Sequence, residues 1–157
     1  MAPVDLHVVS GGKYYGWTSR ILVNGVDWSP NLRGYNLVAL SPRGDLVDRG
    51  TFDTFASREE SLRLARFIGR LPRGTIVVAS VKDEAAGQLT EEAVQALRAV
   101  GGKEDLRGRL WVSHLVIGVK GAPPGTAVEE VGARLLEVTL GEPPEKLGIE
   151  LGEFSLR

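Results

Sequence analysis

Three carboxylates, Asp53, Asp83 and Glu84, fall at the ends of predicted strands. Two carboxylates held ~5–9 Å apart can share general acid–base work. A strand-end carboxylate can also hold a ligand's hydroxyl or amide donors, or cap the turn that follows it. For Asp83 the cap is the favoured reading, then ligand contact, then catalysis. The two histidines, His7 and His114, lie in no metal-ligand spacing such as His-Glu-x-x-His. Ser113 and His114 are neighbours on a predicted strand, so they point to opposite faces and form no nucleophile–base pair. No Gly-x-Ser-x-Gly elbow exists. Each histidine is therefore read as structural or surface. Gly11-Gly12-Lys13 invites a phosphate-loop reading, which fails. His7 stands where the first glycine belongs, and Tyr14 follows the lysine where Ser or Thr is needed. Tyr14, Tyr15 and Trp17 then sit in a Gly-rich loop, where aromatics stack on a sugar or a partner, or pack the loop onto its own sheet.

Composition narrows the rest. The chain has 157 residues, a length that predicts one domain spanning 1–157 with a real core. Net charge is -1, so no basic field points to nucleic acid. Cysteine is absent, which excludes disulfides, Cys-zinc sites, iron–sulfur clusters and thiol catalysis. No cofactor motif is found. Asp5, His7 and Ser10 interrupt the first apolar stretch, so no signal peptide is predicted and synthesis in the cytoplasm is expected. No apolar run approaches the ~18 residues of a membrane span. Arg outnumbers Lys and proline favours turns, which fits either a thermophilic source or a GC-rich genome.

Positioning elements follow from periodicity. Val4–Ser10 reads as a strand, Thr18–Val23 as a second, and Asn24-Gly25 as a tight hairpin turn into Val26-Asp27-Trp28. Tyr35–Leu40 is short and nearly all apolar, the pattern of a strand buried on both faces. Leu46–Phe52 returns across a Pro-Arg-Gly turn. Ser57 and Glu60 form a capping-box pattern for a helix over 58–69, whose Leu64, Phe67, Ile68 and Leu71 share one face. Thr75–Val81 is a further strand. Thr90 opens a second helix that Gly101-Gly102 ends. Leu110–Val119, Ala133–Leu140 and Leu147–Phe154 read as strands, the last two separated by Glu142-Pro143-Pro144. The fold class is α/β in the strand-rich, α+β sense.

Six segments then become specific in combination. Arg-Gly-Tyr-Asn-Leu-Val (33–38), Thr-Phe-Asp-Thr-Phe (51–55), Leu-Pro-Arg-Gly-Thr-Ile-Val-Val (71–78), Val-Lys-Asp-Glu-Ala (81–85), Ala-Leu-Arg-Ala-Val-Gly (96–101) and Ile-Gly-Val-Lys-Gly (117–121) occur in order. Together they resemble the interleukin-like EMT inducer family, also called PANDER-like or GG domains. The resemblance covers 4–131 and leaves 132–157 as extra C-terminal strands. It implies two twisted, mainly antiparallel sheets with two or three short helices packed on them. It also implies a non-enzymatic protein without cofactor. Family members include cytokine-like secreted proteins, modules of hyaluronan-processing surface proteins, bacterial and phage-tail proteins, and a transferase stem domain that recognises β-linked N-acetylglucosamine.

In that sugar-binding domain the Arg of Arg-Gly-x-x-x-Val and the Asp of Val-Lys-Asp-Glu contact the ligand. These carry over to Arg33 and Asp83. An ungapped reading of the third motif, Trp-Arg-Asp-x-Trp, falls on Leu110-Trp111-Val112-Ser113-His114, so Trp111 stands in place of its arginine. Arg107 and Arg109 are near enough in sequence to reach the same space. Arg33 and Asp83 also suit each other as an ion pair pinning two strand ends. The glycan candidates are Arg33, Asp83, Trp111, Tyr14, Tyr15 and Trp17. The partners implied are a glycan or surface polysaccharide, or else virion or tail proteins and further copies of this chain. Neither nucleic acid nor membrane insertion is implied.

Overall fold

A computed structural model describes residues 3–141. Nine strands and two helices follow in order: β1 (Leu6–Gly12), β2 (Thr18–Val23), β3 (Val26–Asp27), β4 (Gly34–Leu40), β5 (Leu46–Phe52), α1 (Arg58–Gly69), β6 (Ile76–Asp83), α2 (Glu91–Arg98), β7 (Ser113–Val119), β8 (Val128–Gly132) and β9 (Leu136–Leu140).

The strands form two antiparallel leaves. One runs β5-β4-β6-β7-β8 and the other β3-β2-β1-β9. They join at one corner, where Gly11 and Gly12 pair in parallel with Lys82 and Asp83. Side chains alternate between two covered faces, which explains why β4 and β6 are mostly apolar. Tyr35, Leu37, Val77, Ala79 and Val81 face the helices, against Leu64, Ile68, Val94 and Leu97. Val38, Leu40, Ile76, Val78 and Leu115 face the other leaf, against Val8, Ile21 and Leu136.

Close to the join, apolar packing gives way to buried hydroxyls. Ser10 Oγ donates to the Val81 carbonyl at 2.6 Å, and Ser80 Oγ donates to the Val9 carbonyl at 2.7 Å. These bonds satisfy strand groups where the leaves come together too closely for side chains.

Local chemistry sets the ends of the elements. Asn24 and Gly25 adopt φ of 49° and 83° in the β2–β3 hairpin. Ser57 caps α1 by accepting from the Glu60 N–H. The other half of the expected capping box differs. The Glu60 carboxylate accepts from the Asp53 N–H and from Arg63, while the Ser57 N–H donates to the Asp53 carbonyl. Thr90 caps α2, and Gly101 follows it at φ 102°.

Three further differences concern strands. β7 begins at Ser113 rather than Leu110, and residues 110–112 form a turn instead. β8 was not foreseen, because Val128-Glu129-Glu130-Val131 alternates poorly. β9 starts at Leu136 rather than Ala133. Leu147–Phe154 and Glu142-Pro143-Pro144 lie outside the described residues.

Candidate functional site

The site is built on the corner where the leaves join. β1 ends at Gly12, and the chain turns at once. The N–H groups of Tyr15 and Trp17 both donate to the Gly12 carbonyl, and the Lys13 N–H donates to the Asp83 carbonyl at 2.9 Å. Glycine is required at position 12, since a Cβ there would lie 2.3 Å from the Trp111 carbonyl oxygen. On its other side, the Gly12 N–H donates to Ser113 Oγ at 2.8 Å. Residues 12 and 111 thus touch backbone to backbone, which brings the first loop against the turn before β7.

Glu84 holds this arrangement from beneath. It is buried, and its carboxylate accepts from Ala86 N, Gly87 N and Trp111 N. Three backbone donors satisfy a buried carboxylate without a cation. Glu84, rather than Asp83, therefore caps the turn that follows β6.

Asp83 faces outward, and its Oδ2 accepts from the Trp17 indole N–H at 3.3 Å. Lys82 Nζ lies 4.7 Å from the Trp17 ring centroid and donates to the Asn31 carbonyl at 3.0 Å. Tyr14 and Trp111 meet edge to face, centroids 5.9 Å apart, with Lys13 over the Tyr14 ring. Tyr14 is 65% exposed, Trp17 59% and Trp111 41%. Tyr15 is half-buried and its ring joins neither pair.

Backbone strain concentrates on the same surface. Trp17, Asn31, Asp83 and Trp111 have φ of 50°, 61°, 70° and 61°. Asn24, in the hairpin turn, is the fifth non-glycine residue with positive φ among the described residues. Each such residue costs of order 1–3 kcal/mol unless its surroundings hold it there. The bonds from Glu84, Trp17 and Lys82 supply that hold.

Arg33 lies at the rim. Asn36 fixes the loop that carries it, through bonds to the Leu32 N–H and carbonyl. The guanidinium makes a bidentate pair with Asp53, closest at 2.8 Å, and lies 4.9 Å from the Phe55 ring centroid. Asp53 is thus its partner, in place of the Arg33–Asp83 pair that the sequence suggested. Hydrogen bonding to Asp53 raises the Arg33 pKa further, and Asp83 adds to it through space. Arg33 and Asp83 share one surface without touching.

Other sequence candidates go elsewhere. Arg107 pairs with Asp105 and Glu91, and Arg109 with Glu104, so neither replaces the missing arginine. His7 is half-buried and pairs with Glu137 of β9. His114 is fully buried, with Nδ1 2.8 Å from the Tyr35 hydroxyl and Nε2 2.7 Å from Glu129 Oε2. The carboxylate only accepts, so Nε2 carries a proton, and in the neutral ring Nδ1 accepts from Tyr35. Burial holds the Tyr35 hydroxyl protonated, well above its ordinary pKa. Glu129 also accepts from Lys103 N and Glu104 N, so this relay pins the start of the 103–112 segment. Ser113 and His114 make separate bonds, as their adjacency on a strand requires.

Sequence reasoning missed Lys82 and Lys13 as flanking cations. Their positions beside Asp83 and Tyr14 were the available signal. A larger apolar cavity of about 460 Å³ lies at the far end of the strands, lined by Leu6, Ile76, Ile117, Val119 and Leu140 among others. It offers few groups to fix a polar ligand. Among the described residues no cluster of three or more His, Cys, Asp or Glu could hold a metal ion, and no helix is long and apolar enough to cross a membrane.

The family model described as "Interleukin-like EMT inducer" matches residues 33–122, more than half of the chain. The chain belongs to the interleukin-like EMT inducer family. The cell migration-inducing and hyaluronan-binding protein of Mus musculus is 31% identical over 88 residues, and that of Homo sapiens 28% over 100 residues. These alignments cover 56% and 63% of this chain, but only 6% and 7% of the relatives' own length. The stretch matched by the interleukin-like EMT inducer model contains Arg33, Asp83 and Trp111. Tyr14, Tyr15 and Trp17 precede it.

Proposed function

We propose that this chain is a non-enzymatic recognition module that binds a glycan on the surface around Trp17 and Asp83. The observation that carries the reading is the convergence of three exposed aromatics and Asp83 on one corner, three of them held at positive φ. Exposed aromatic surface rimmed by polar groups marks an interaction site. A pyranose offers both of the complements this corner needs: a C–H face for an indole or phenol ring, and hydroxyls for a carboxylate that only accepts. Lys82 and Lys13 add cationic donors at the rim, which suit a carboxylated sugar unit, and Arg33, paired with Asp53, adds only its free guanidinium edge. Names of the two relatives include hyaluronan binding, which makes that polysaccharide the first probe. The two adjacent carboxylates also argue against acid–base chemistry. Glu84 is buried and used by backbone donors, while Asp83 faces solvent.

A glycan array that includes hyaluronan fragments tests this, with wild type and Asp83→Ala side by side and circular dichroism on both. Alanine at φ 70° costs about 1–2 kcal/mol, so the variant is expected to fold. Binding by wild type that is lost in Asp83→Ala supports the module. No sugar binding, with assembly into larger particles through the same aromatics, would instead favour a protein-docking block of the virion-tail kind.

A further inference from the structure

Beside Arg33 a second cleft opens between the end of β5 and the first turns of α1. Its volume is about 370 Å³, and Leu32, Arg33, Thr51, Asp53, Glu60 and Arg63 line it. That size falls within the range of about 300–1,000 Å³ of small-ligand sites.

Two ion pairs line this cleft. Arg33 holds Asp53 at 2.8 Å, and Arg63 holds Glu60 at 2.8 Å. The Asp53 N–H donates to Glu60 Oε1, which ties the pairs together. Arg63 lies over the Phe52 ring and donates to the Thr51 carbonyl. All four charges are matched, and each guanidinium keeps one terminal nitrogen free of a protein acceptor among the described residues. Thr51 lines the cleft, and its hydroxyl is the one buried side-chain polar atom without a hydrogen-bond partner among the described residues. Such a group is normally satisfied.

With its four charges paired, the cleft offers no uncompensated charge to a charged ligand. An uncharged polyhydroxylated ring needs none. It can use the free guanidinium edges as donors and the Thr51 hydroxyl as donor or acceptor. Arg33 lines this cleft and also lies beside Asp83, because Gly34 pairs with Lys82 across β4 and β6. We infer that the cleft at Thr51 is a second subsite, for an uncharged sugar unit of the same chain that lies on Trp17 and Asp83. This rests on the glycan reading above. It makes the module a reader of extended glycans, with Arg33 shared between two units.

The test is isothermal titration of the full chain with a short and a long hyaluronan oligosaccharide, tetrasaccharide and decasaccharide, in wild type and Thr51→Val. Valine keeps the shape and suits a strand, so the variant's melting temperature should be unchanged or higher. Wild type should bind the decasaccharide more tightly than the tetrasaccharide. Thr51→Val should weaken the decasaccharide about fivefold, the worth of one hydrogen bond, and leave the tetrasaccharide untouched. The Thr51 amide resonance should shift with the long oligosaccharide only. Equal affinity for both lengths with no effect of Thr51→Val overturns the subsite and leaves the glycan reading standing. No binding of either oligosaccharide to wild type removes both.

Discussion

β1 and β6 meet at their carboxyl ends and diverge toward their amino ends, and the two ends differ in every physical respect. At the meeting end, Gly12 and Asp83 pair in parallel, and the surface above them is aromatic, charged and strained. At the other end, Leu6 and Ile76 are splayed apart and line the large apolar cavity. Close approach of two backbones leaves no room for core side chains, so the chain there uses glycine, buried hydroxyls and left-handed residues. Those devices push Tyr14, Trp17 and Trp111 outward. Divergence does the reverse, and apolar side chains fill the gap imperfectly. On the proposed reading, recognition belongs to the joined end and packing to the splayed end.

Glu84→Ala should break the joined end most severely. It strips the acceptor from three backbone donors, and each buried unpaired donor costs about 1–3 kcal/mol. A loss of at least about 3 kcal/mol in urea unfolding is expected, with loss of glycan binding as Trp111 is released. An unchanged denaturation midpoint would mean that Glu84 does not hold the turn.

Ile76→Ala, at the splayed end, should cost about 2–4 kcal/mol through an enlarged cavity and leave glycan affinity unchanged in the folded protein. A parallel loss of affinity would show that the ends are coupled.

Gly12→Ala separates strain from packing. Its Cβ has no space beside the Trp111 carbonyl, and about 1–3 kcal/mol of overpacking is expected. The signature is a changed Trp111 fluorescence and reduced binding, checked against the stability loss of Ile76→Ala.

The smallest effect concerns acid. Burial pushes the Glu129 carboxylate up, but bonds from His114, Lys103 and Glu104 outweigh this and hold it below its ordinary value of 4.5. A depressed folded pKa contributes stability above the unfolded value and loses it as pH falls through the folded one. Stability should therefore decline below about pH 4.5, and Glu129→Gln should flatten part of that slope. Glu60 and Asp105, held low by Arg63 and Arg107, keep the remainder. An identical acid slope in the variant would contradict the assignment.

Much of the frame was legible because its causes are local. Ser57 and Thr90 cap helices through bonds to residues three positions on. Asn24-Gly25 makes its own turn, and β4 and β6 announce double burial by composition. The site was less legible because its causes are distant in sequence. The left-handed backbone of Trp111 depends on Glu84, twenty-seven positions earlier, and Leu110–Val119 read alone looks like one unbroken strand. Arg33 was found by resemblance, but its partner Asp53 depends on which strands end side by side. Tyr15 shares its loop's composition with Tyr14 and Trp17 and still takes no part, since ring direction follows the turn geometry at Gly12.

The central claim is that recognition belongs to the joined end. A heteronuclear NMR titration of the labelled chain with a hyaluronan oligosaccharide tests it directly, because the Trp17 indole N–H bound to Asp83 gives its own resonance. The account predicts shifts at that indole and at Lys13, Asp83 and Trp111, with Leu6, Ile117 and Val128 unmoved. Shifts confined to the splayed end, or none at saturating sugar, would contradict it.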